Sequence, residues 1–178
     1  MRIGERNILT AFGKAPVTDE AVVMPLGILG DEQADLSIHG GLEKAVYAYP
    51  SEHYPFWQNA RCEAGVSPLD QRLLPGALGE NLTLQGLLET DVWAGDVLRF
   101  AHCALKVTLP REPCLKLNAA IGFSRASRLM ADTGFCGFYL SVLEPGRLQT
   151  GESFDLVAGR RSVGIPALFA AKRAKHLR

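Results

Sequence analysis

Cys114 is the side chain of this 178-residue sequence whose surroundings most favour chemistry. It follows an alternating apolar and polar run, residues 104–109, whose period of two predicts a β-strand. Two prolines in the next four residues end the ladder and predict a stiff turn beyond the strand. Arg111 and Lys116 lie close in sequence, and nearby cations favour the thiolate, the form that attacks electrophiles or binds metal. The alternative is a small buried cysteine that packs as a hydrophobic side chain.

A second candidate is an anion site around His39, Gly40 and Gly41. Adjacent glycines allow positive φ and a close backbone approach, so their amide N–H groups can face an anion. Lys44 follows closely and adds positive charge. Neither a Walker loop nor a dinucleotide fingerprint has this spacing. The alternative is a Gly-Gly turn that enters a strand predicted over residues 45–49.

Two further polar side chains are candidates to face a ligand. Ser51 has the chemistry of a helix N-cap and predicts a helix to about Arg61, on which His53 faces either a cleft or solvent. Asn81 follows a glycine-bracketed turn and offers both a donor and an acceptor, although Asn is also common in turns for local reasons.

The composition predicts one globular domain. Apolar residues make up 47% of the chain, which is enough for a core. Nineteen basic and nineteen acidic residues cancel, so the overall charge implies no general attraction to nucleic acid or to an anionic membrane. The four cysteines form no C-x-x-C pair, which argues against a zinc finger. The charged N-terminus and the lack of a long apolar run predict a cytoplasmic protein with reduced thiols.

The charge is unevenly distributed along the chain. The first 155 residues contain 13 basic and all 19 acidic residues, whereas the rest contain six basic residues and no acidic one. A helix is predicted from Pro166 to His176. This basic segment is expected to fold back on an acidic surface, to dock on a partner, or to end as a solvated helix.

Short strands separated by Gly and Pro turns run through most of the sequence. Strands are predicted over residues 91–94 and 97–100, on either side of a Gly95-Asp96 turn, and a short helix capped by Ser124 or Ser127 is predicted to end near Gly134. This pattern predicts a mainly β, barrel-like domain with a few peripheral helices.

Several short motifs, taken together and in order, resemble the signature of MOSC-domain proteins of the YiiM-like group. They cover roughly residues 10–157, nearly all of the predicted barrel. The motifs are Gln33-Ala34-Asp35-Leu36, His39-Gly40-Gly41, residues 44–50, Glu52-His53-Tyr54, Gly79-Glu80-Asn81-Leu82, Gly95-Asp96, Pro110-Arg111-x-Pro113-Cys114-x-Lys116-Leu117 and Gly134-x-x-Gly137-x-Tyr139.

The resemblance implies a mixed β-barrel over residues 1–160, followed by a basic C-terminal helical segment over residues 161–178. It also implies a molybdenum cofactor, in which molybdopterin carries an oxo-molybdenum centre. Similar members reduce N-hydroxylated compounds, including N-hydroxylated nucleobases, to amines. Cys114 would then be both a catalytic residue and the thiolate ligand of molybdenum, and a soft thiolate suits that metal.

The cofactor would also need partners for its phosphate and its polar pterin. Basic side chains and free amides suit the phosphate, and amide side chains suit the pterin. His39 and His53 are candidate proton relays for removal of the hydroxylamine oxygen, which takes two electrons and two protons and releases water. The residues assigned to cofactor binding are Lys14, His39, Gly40, Gly41, Lys44, Asn81, Arg111, Cys114 and Asn118.

The resemblance implies that electrons come from a separate, flavin-containing reductase, because no motif for flavin or for an iron–sulfur cluster is found. The predicted partners are this reductase and a small N-hydroxylated substrate, without nucleic acid or membrane, for a monomer or homodimer.

Two other functions stay open. One is a non-redox binding or carrier module for molybdopterin or for a phosphate-bearing ligand such as pyridoxal phosphate, based on Lys14, Lys44 and Arg111. The other is a cysteine-dependent hydrolase or transferase that pairs Cys114 with His39.

Overall fold

The computed structural model describes residues 13–17, 19–31 and 40–176, and the backbone of residues 2–3 and 6–7. Strands dominate this part of the chain, and most are short, as the closely spaced turns predict. The strands are β1 Arg2–Ile3, β2 Arg6–Asn7, β3 Glu20–Met24, β4 Gly27–Ile28, β5 Val46–Pro50, β6 Leu82–Leu84, β7 Val97–Arg99, β8 Ala104–Pro110, β9 Phe138–Glu144, β10 Gly146–Gln149 and β11 Asp155–Val157. The helices are α1 Tyr54–Glu63, α2 Leu115–Ile121, α3 Ala126–Thr133 and α4 Ile165–His176, with 3-10 turns at Leu42–Lys44, Ser51–His53 and Glu89–Asp91.

Strands β3 to β11 form two connected curved sheets, and β1 and β2 form a further antiparallel pair. The larger sheet has the order β11-β7-β8-β9-β5-β6, in which β5 and β6 are parallel and the other pairs are antiparallel. The smaller sheet has the order β10-β3-β4, and only Pro145 separates β9 from β10. Register shifts between β8 and β9 interrupt the ladder, and such irregularities bend a sheet. The architecture confirms the predicted mainly β, mixed barrel with a few peripheral helices.

Strand β5 separates two apolar cores. All five of its residues are buried, and successive side chains point to opposite faces. Val46 and Ala48 join a core with residues from both sheets. Tyr47 and Tyr49 join a second core between the sheet and the helices, which also contains Trp57, Leu117, Ile121, Met130, Tyr139 and Phe169. The period of two in β5 therefore places two tyrosines on the helix side of the sheet.

The helix beginnings differ from the sequence predictions. Ser51 starts a 3-10 turn, and α1 begins only at Tyr54, because Pro55 lacks an N–H and fits in the first turn of a helix. Neither Ser124 nor Ser127 caps α3, whose N-cap is Arg125. The predicted helix end at Gly134 is confirmed, since Gly134 adopts the left-handed conformation there.

The strand predicted over residues 91–94 is wrong. Residues 89–91 form a 3-10 turn, and Trp93 makes only an isolated bridge to Gly164. The side chain of Asp96 bonds the Trp93 N–H at 3.2 Å, which curls this segment into a turn. The turn at Gly95-Asp96 is present before β7, as predicted.

Helix α4 folds back on the domain. Ile165 and Phe169 are buried in the apolar cores, and Lys172 and Arg173 pair with acidic residues of the preceding chain. The basic segment therefore packs on an acidic surface, which was one of the three expectations for it; the domain division at residue 160 stays a prediction. Within the described residues, no helix combines the length and the apolar character that a bilayer crossing requires.

Candidate active site

The candidate site is built where β8 ends. Pro110 is the last residue of β8 and α2 begins at Leu115, so a short loop carries Cys114. Cys114 has an extended backbone and a half-buried side chain. The predicted position of this cysteine, on a turn directly beyond the strand, is confirmed.

Arg111 is the charged group beside the sulfur of Cys114. Its Nη2 atom lies 3.9 Å from Cys114 Sγ. The residue is only 4% exposed, and its Nη1 donates to Met130 Sδ at 3.1 Å. The guanidinium carbon lies 5.2 Å from the centre of the Tyr47 ring, whose negative face attracts a cation.

The positive charge of Arg111 is permanent. Burial is the largest influence and lowers its pKa, but Tyr47, Tyr139 and Cys114 raise it, and the net pKa is raised. A guanidinium already titrates far above neutral pH. Cys114 therefore faces a fixed cation at every physiological pH.

Tyr139 lies close to two cations. Lys44 Nζ is 5.8 Å from the centre of its ring, and Arg111 hydrogen-bonds its side chain. Burial raises the pKa of Tyr139 more than Arg111 lowers it. The hydroxyl group therefore stays protonated near neutral pH, and it can donate a hydrogen bond.

Gly40 and Gly41 lead into the 3-10 turn that carries Lys44. Gly41 has a φ of 88°, which favours glycine. Thr108 Oγ1 donates to the backbone oxygen of Glu43 at 2.6 Å and so ties the turn to β8. The predicted Gly-Gly turn before β5 is confirmed, and its role as an anion site stays a prediction.

The segment 135–137 connects α3 to β9 and contacts the Arg111 backbone. The hydroxyl groups of Tyr47 and Tyr49 each donate to a backbone oxygen of this segment at 2.9 Å. The Arg111 N–H donates to the Gly137 oxygen at 3.5 Å, which is a long and weak bond. The tyrosines of β5 therefore help to hold the segment that borders the Cys114 loop.

His53 is buried and its ring contacts a carboxylate. Its Nε2 atom lies 2.8 Å from Glu89 Oε2, and its ring stacks on Phe135 with 3.9 Å between ring centres. The other carboxylate oxygen of Glu89 accepts the Gly137 N–H at 2.6 Å. His53 thus supports the segment 135–137, and its proposed role as a proton relay stays a prediction. The expectation that it faces a cleft or solvent is wrong, because aromatic packing and the carboxylate enclose it.

Lys14 and Asn81 lie apart from the Cys114 loop, on the wall of a cavity of about 1160 Å³. Lys14 pairs with Asp31, and Asn81 Nδ2 donates to the same carboxylate at 2.8 Å. The Asn81 Oδ1 atom accepts the Tyr47 N–H at 2.9 Å. Among the described residues of this wall, none belongs to the Cys114 loop. The predicted cofactor residues therefore fall into two groups.

The remaining predicted residues have other positions. Asn118 Oδ1 accepts the Ser127 N–H at 2.7 Å and so joins α2 to the first turn of α3. His39, predicted as a proton relay and cofactor ligand, lies outside the described residues, as does the motif over residues 33–36. The pairing of Cys114 with His39 stays a hypothesis.

Two residues of the site came only from the structure, and a third had a single signal in the sequence. Met130 and Glu89 reach Arg111 and His53 across large sequence separations, and no local pattern marked them. Tyr139 had one signal, its place at the end of the Gly134-x-x-Gly137-x-Tyr139 motif.

The described residues do not form a metal site by themselves. No group of three or more His, Cys, Asp or Glu side chains in this part of the chain is arranged to hold a metal ion. A metal at Cys114 would therefore need further ligands from a cofactor, and a dithiolene-bearing cofactor provides them.

Comparison with known proteins places the chain in a family. The model of the MOSC domain matches residues 35–155. The uncharacterized protein YflK of Bacillus subtilis is 39% identical over 171 residues, which is 96% of this chain and 73% of that protein. The chain belongs to the MOSC-domain family, as its motifs indicate.

The same comparisons support the YiiM-like resemblance. Protein YiiM of Escherichia coli is 37% identical over 152 residues, covering 84% of this chain and 64% of that protein. Its crystal structure matches with a TM-score of 0.74 over 89% of this chain and 72% of that chain. A protein of Gibberella moniliformis named "Reductase" is 36% identical over 132 residues, but these are 74% of this chain and only 22% of that protein.

Proposed function

We propose that this protein is a molybdenum-cofactor-dependent oxidoreductase that reduces N-hydroxylated compounds to amines, with Cys114 as the thiolate ligand. Membership of the MOSC family and the relative named as a reductase support a redox role. The observation that carries the proposal is the half-buried Cys114 sulfur with the Arg111 guanidinium 3.9 Å away.

The residues present fit such a cofactor. A soft sulfur ligand suits molybdenum, and the described residues offer no competing cluster of hard metal ligands around it. Lys44 lies over the Tyr139 ring and Arg111 hydrogen-bonds the Tyr139 side chain, so both provide positive charge beside this residue, as an anionic cofactor requires. When bound, the molybdenum centre would supply the two-electron chemistry that removes oxygen from an N–OH group.

The chain's own groups then hold and orient the ligand. Cys114 would hold the metal, and Arg111 would stabilise the negative charge on its sulfur. Lys44 and the amides of Gly40 and Gly41 bind the phosphate. Tyr139, whose hydroxyl is protonated at neutral pH, would be available as a hydrogen-bond donor to the bound ligand, and His39 would be a further proton source.

The remaining predicted residues lie outside the Cys114 loop. Lys14 and Asn81, on the wall of the cavity apart from this loop, would contact the pterin only if the bound cofactor extends there, and Asn118 joins α2 to α3. The substrates would be small N-hydroxylated molecules such as nucleobases. Electrons would come from a separate flavin-containing reductase in the cytoplasm, and the protein would act as a monomer or homodimer without nucleic acid or membrane.

Metal content tests the ligand assignment. The protein is produced in cells that synthesise molybdopterin, and molybdenum per chain is measured by mass spectrometry for the wild type and for Cys114→Ala. We expect bound metal in the wild type and loss of most of it in the variant. Cys62→Ala is the matched control, because Cys62 is an exposed cysteine on α1. Absence of molybdenum from the wild type contradicts the proposal.

Turnover tests the reaction. An N-hydroxylated nucleobase is incubated with the loaded protein and a chemically reduced viologen, and amine is quantified. We expect amine formation by the wild type and none by Cys114→Ala. Bound cofactor without amine formation supports the second candidate.

That second candidate is a non-redox carrier of the cofactor or of a similar phosphate-bearing ligand. One observation favours it, since the imidazole of His53 is held by Glu89 and Phe135 and is not directed to the Cys114 sulfur. A carrier needs the thiolate and the cations but no proton relay.

A further inference from the structure

We propose that helix α4 positions the Cys114 loop, residues 111–114, and that Lys172 is the residue through which it acts. This helix has no assigned role in the site. The inference depends on contacts within the protein, and only its consequence for cofactor binding rests on the proposed function.

Apolar packing fixes the position of α4. Phe169, in the middle of the helix, is 6% exposed and belongs to the core between the sheet and the helices. The same core contains Leu117, three residues after Cys114, and Met130, which accepts a hydrogen bond from Arg111. The helix therefore shares an apolar core with side chains of α2 and α3 that border the Cys114 loop.

Polar contacts extend from the next turn of α4. Lys172 forms an ion pair with Glu112, and its side chain is 26% exposed. Arg173 donates to the backbone oxygen of Ala131 and pairs with Asp132 at 3.2 Å. The helix thus joins the Cys114 loop to α3 by two neighbouring basic residues.

The position of Glu112 makes this contact relevant to Cys114. Glu112 lies between Arg111, whose guanidinium approaches the sulfur, and Pro113, whose ring restricts the backbone. The loop is thus held by the buried Arg111 on one side and by α4 on the other. The backbone bond from the Arg111 N–H to the Gly137 oxygen, which joins the loop to the segment before β9, is long at 3.5 Å, so side-chain anchors carry more of the restraint.

Hydrogen exchange tests the restraint without any cofactor. Amide exchange of the peptide spanning residues 111–118 is compared in the wild type, Lys172→Gln and Lys175→Gln. Lys175 is an exposed lysine on the same helix, so its variant is the matched control for charge. We expect exchange about two- to fivefold faster in Lys172→Gln, as for loss of a partly exposed ion pair, and unchanged exchange in the control.

A second set of variants separates positioning from general destabilisation. Lys172→Arg keeps the charge and should restore slow exchange. Glu112→Gln should accelerate exchange as Lys172→Gln does, and the double variant should add little, because both remove the same pair. Equal exchange of residues 111–118 in Lys172→Gln and Lys175→Gln, at unchanged melting temperature, overturns the proposal.

Cofactor retention provides the functional readout. In loaded protein, molybdenum should be lost severalfold faster from Lys172→Gln than from Lys175→Gln during gel filtration. Absence of molybdenum from all forms contradicts the proposed function but leaves the exchange result to decide the role of α4. If amide exchange in Lys172→Gln is as slow as in the wild type and molybdenum is fully retained, the role of α4 is contradicted, whereas the proposed function is not.

Discussion

The guanidinium of Arg111 approaches the sulfur of Cys114 to 3.9 Å from within the protein. Arg111 is 4% exposed, whereas Cys114 is half-buried, so the cation is held by the core and the thiol is open to a ligand. Met130 and Tyr47 fix the guanidinium from two further sides. Arg111 thus provides the positive charge, and Cys114, three positions later, is the side chain that a ligand can reach.

Replacement of Arg111 should weaken cofactor binding. Arg111→Met keeps much of the side-chain volume but removes the charge beside Cys114, and a hydrogen bond to a charged group contributes about 1.5–3 kcal/mol. We expect a roughly ten- to hundredfold loss of cofactor affinity, measured as molybdenum per chain at increasing dilution. Arg99→Met is the control, because Arg99 pairs with Glu144 on the surface. Full metal content in Arg111→Met contradicts the assigned role.

Gly137 should tolerate no side chain. Its φ is 62°, and an added Cβ would lie 2.4 Å from the Ala48 backbone oxygen, so strain and overlap combine. We expect Gly137→Ala to lower the free energy of unfolding by about 3 kcal/mol or more, measured in urea. Gly134→Ala is the control that separates backbone strain from atomic overlap, because Gly134 has a φ of 75° but open space around it. We expect this variant to lose only about 1 kcal/mol of unfolding free energy. Equal losses of unfolding free energy in the two variants would show that atomic overlap at Gly137 adds nothing to the backbone strain.

Removal of His53 should affect stability more than chemistry. His53 contacts Glu89, which in turn binds the Gly137 N–H, so His53→Ala leaves a buried carboxylate without its partner. We expect a loss of about 2–4 kcal/mol in unfolding free energy, with kcat within about threefold of the wild type well below the melting temperature. A fall in kcat of about a hundredfold or more in folded protein would instead identify His53 as a proton relay.

The free energy of unfolding should fall at alkaline pH, and the thiol of Cys103 contributes to this fall. Burial, and then Glu152 and Glu144, raise the pKa of Cys103 from 9.0 to about 11. The folded state therefore retains a proton that the unfolded chain releases, so stability is complete below pH 9 and declines as the pH rises to 11. Between pH 9 and pH 11, we expect the free energy of unfolding of Cys103→Ala to fall by about 1–3 kcal/mol less than that of the wild type. Denaturant unfolding of both proteins at several pH values measures this difference. Identical pH dependence of the two proteins contradicts this assignment.

The positions of Cys114 and α4 could be predicted from the sequence because local patterns determine them. The alternating run over β8 followed by two prolines places Cys114 beyond a strand end whatever the rest of the chain does. Pro166 near the start of a helical segment likewise predicts α4. The ordered motifs identified the family, since their spacing reflects one arrangement of strands and turns.

The site as a whole was decided only by tertiary structure. Lys14 and Asn81 were predicted to bind the same cofactor as Cys114, and the structure places both against Asp31 on the wall of a cavity apart from the Cys114 loop. His53 was expected to be accessible, yet it is enclosed by Glu89, a residue 36 positions away. Hydrogen-bond donors and charges have many possible partners in a sequence, and only the packing of distant segments selects among them.

The sequence by itself determined that a cysteine between cations follows a strand, and that the family is MOSC. The tertiary structure decided which cation faces the sulfur, because the core between β5 and the helices buries Arg111 against Tyr47 and Met130. It also decided that α4 reaches the Cys114 loop, through Lys172 and Glu112. Local periodicity specifies elements along the chain, whereas contacts across 60 residues depend on how those elements pack.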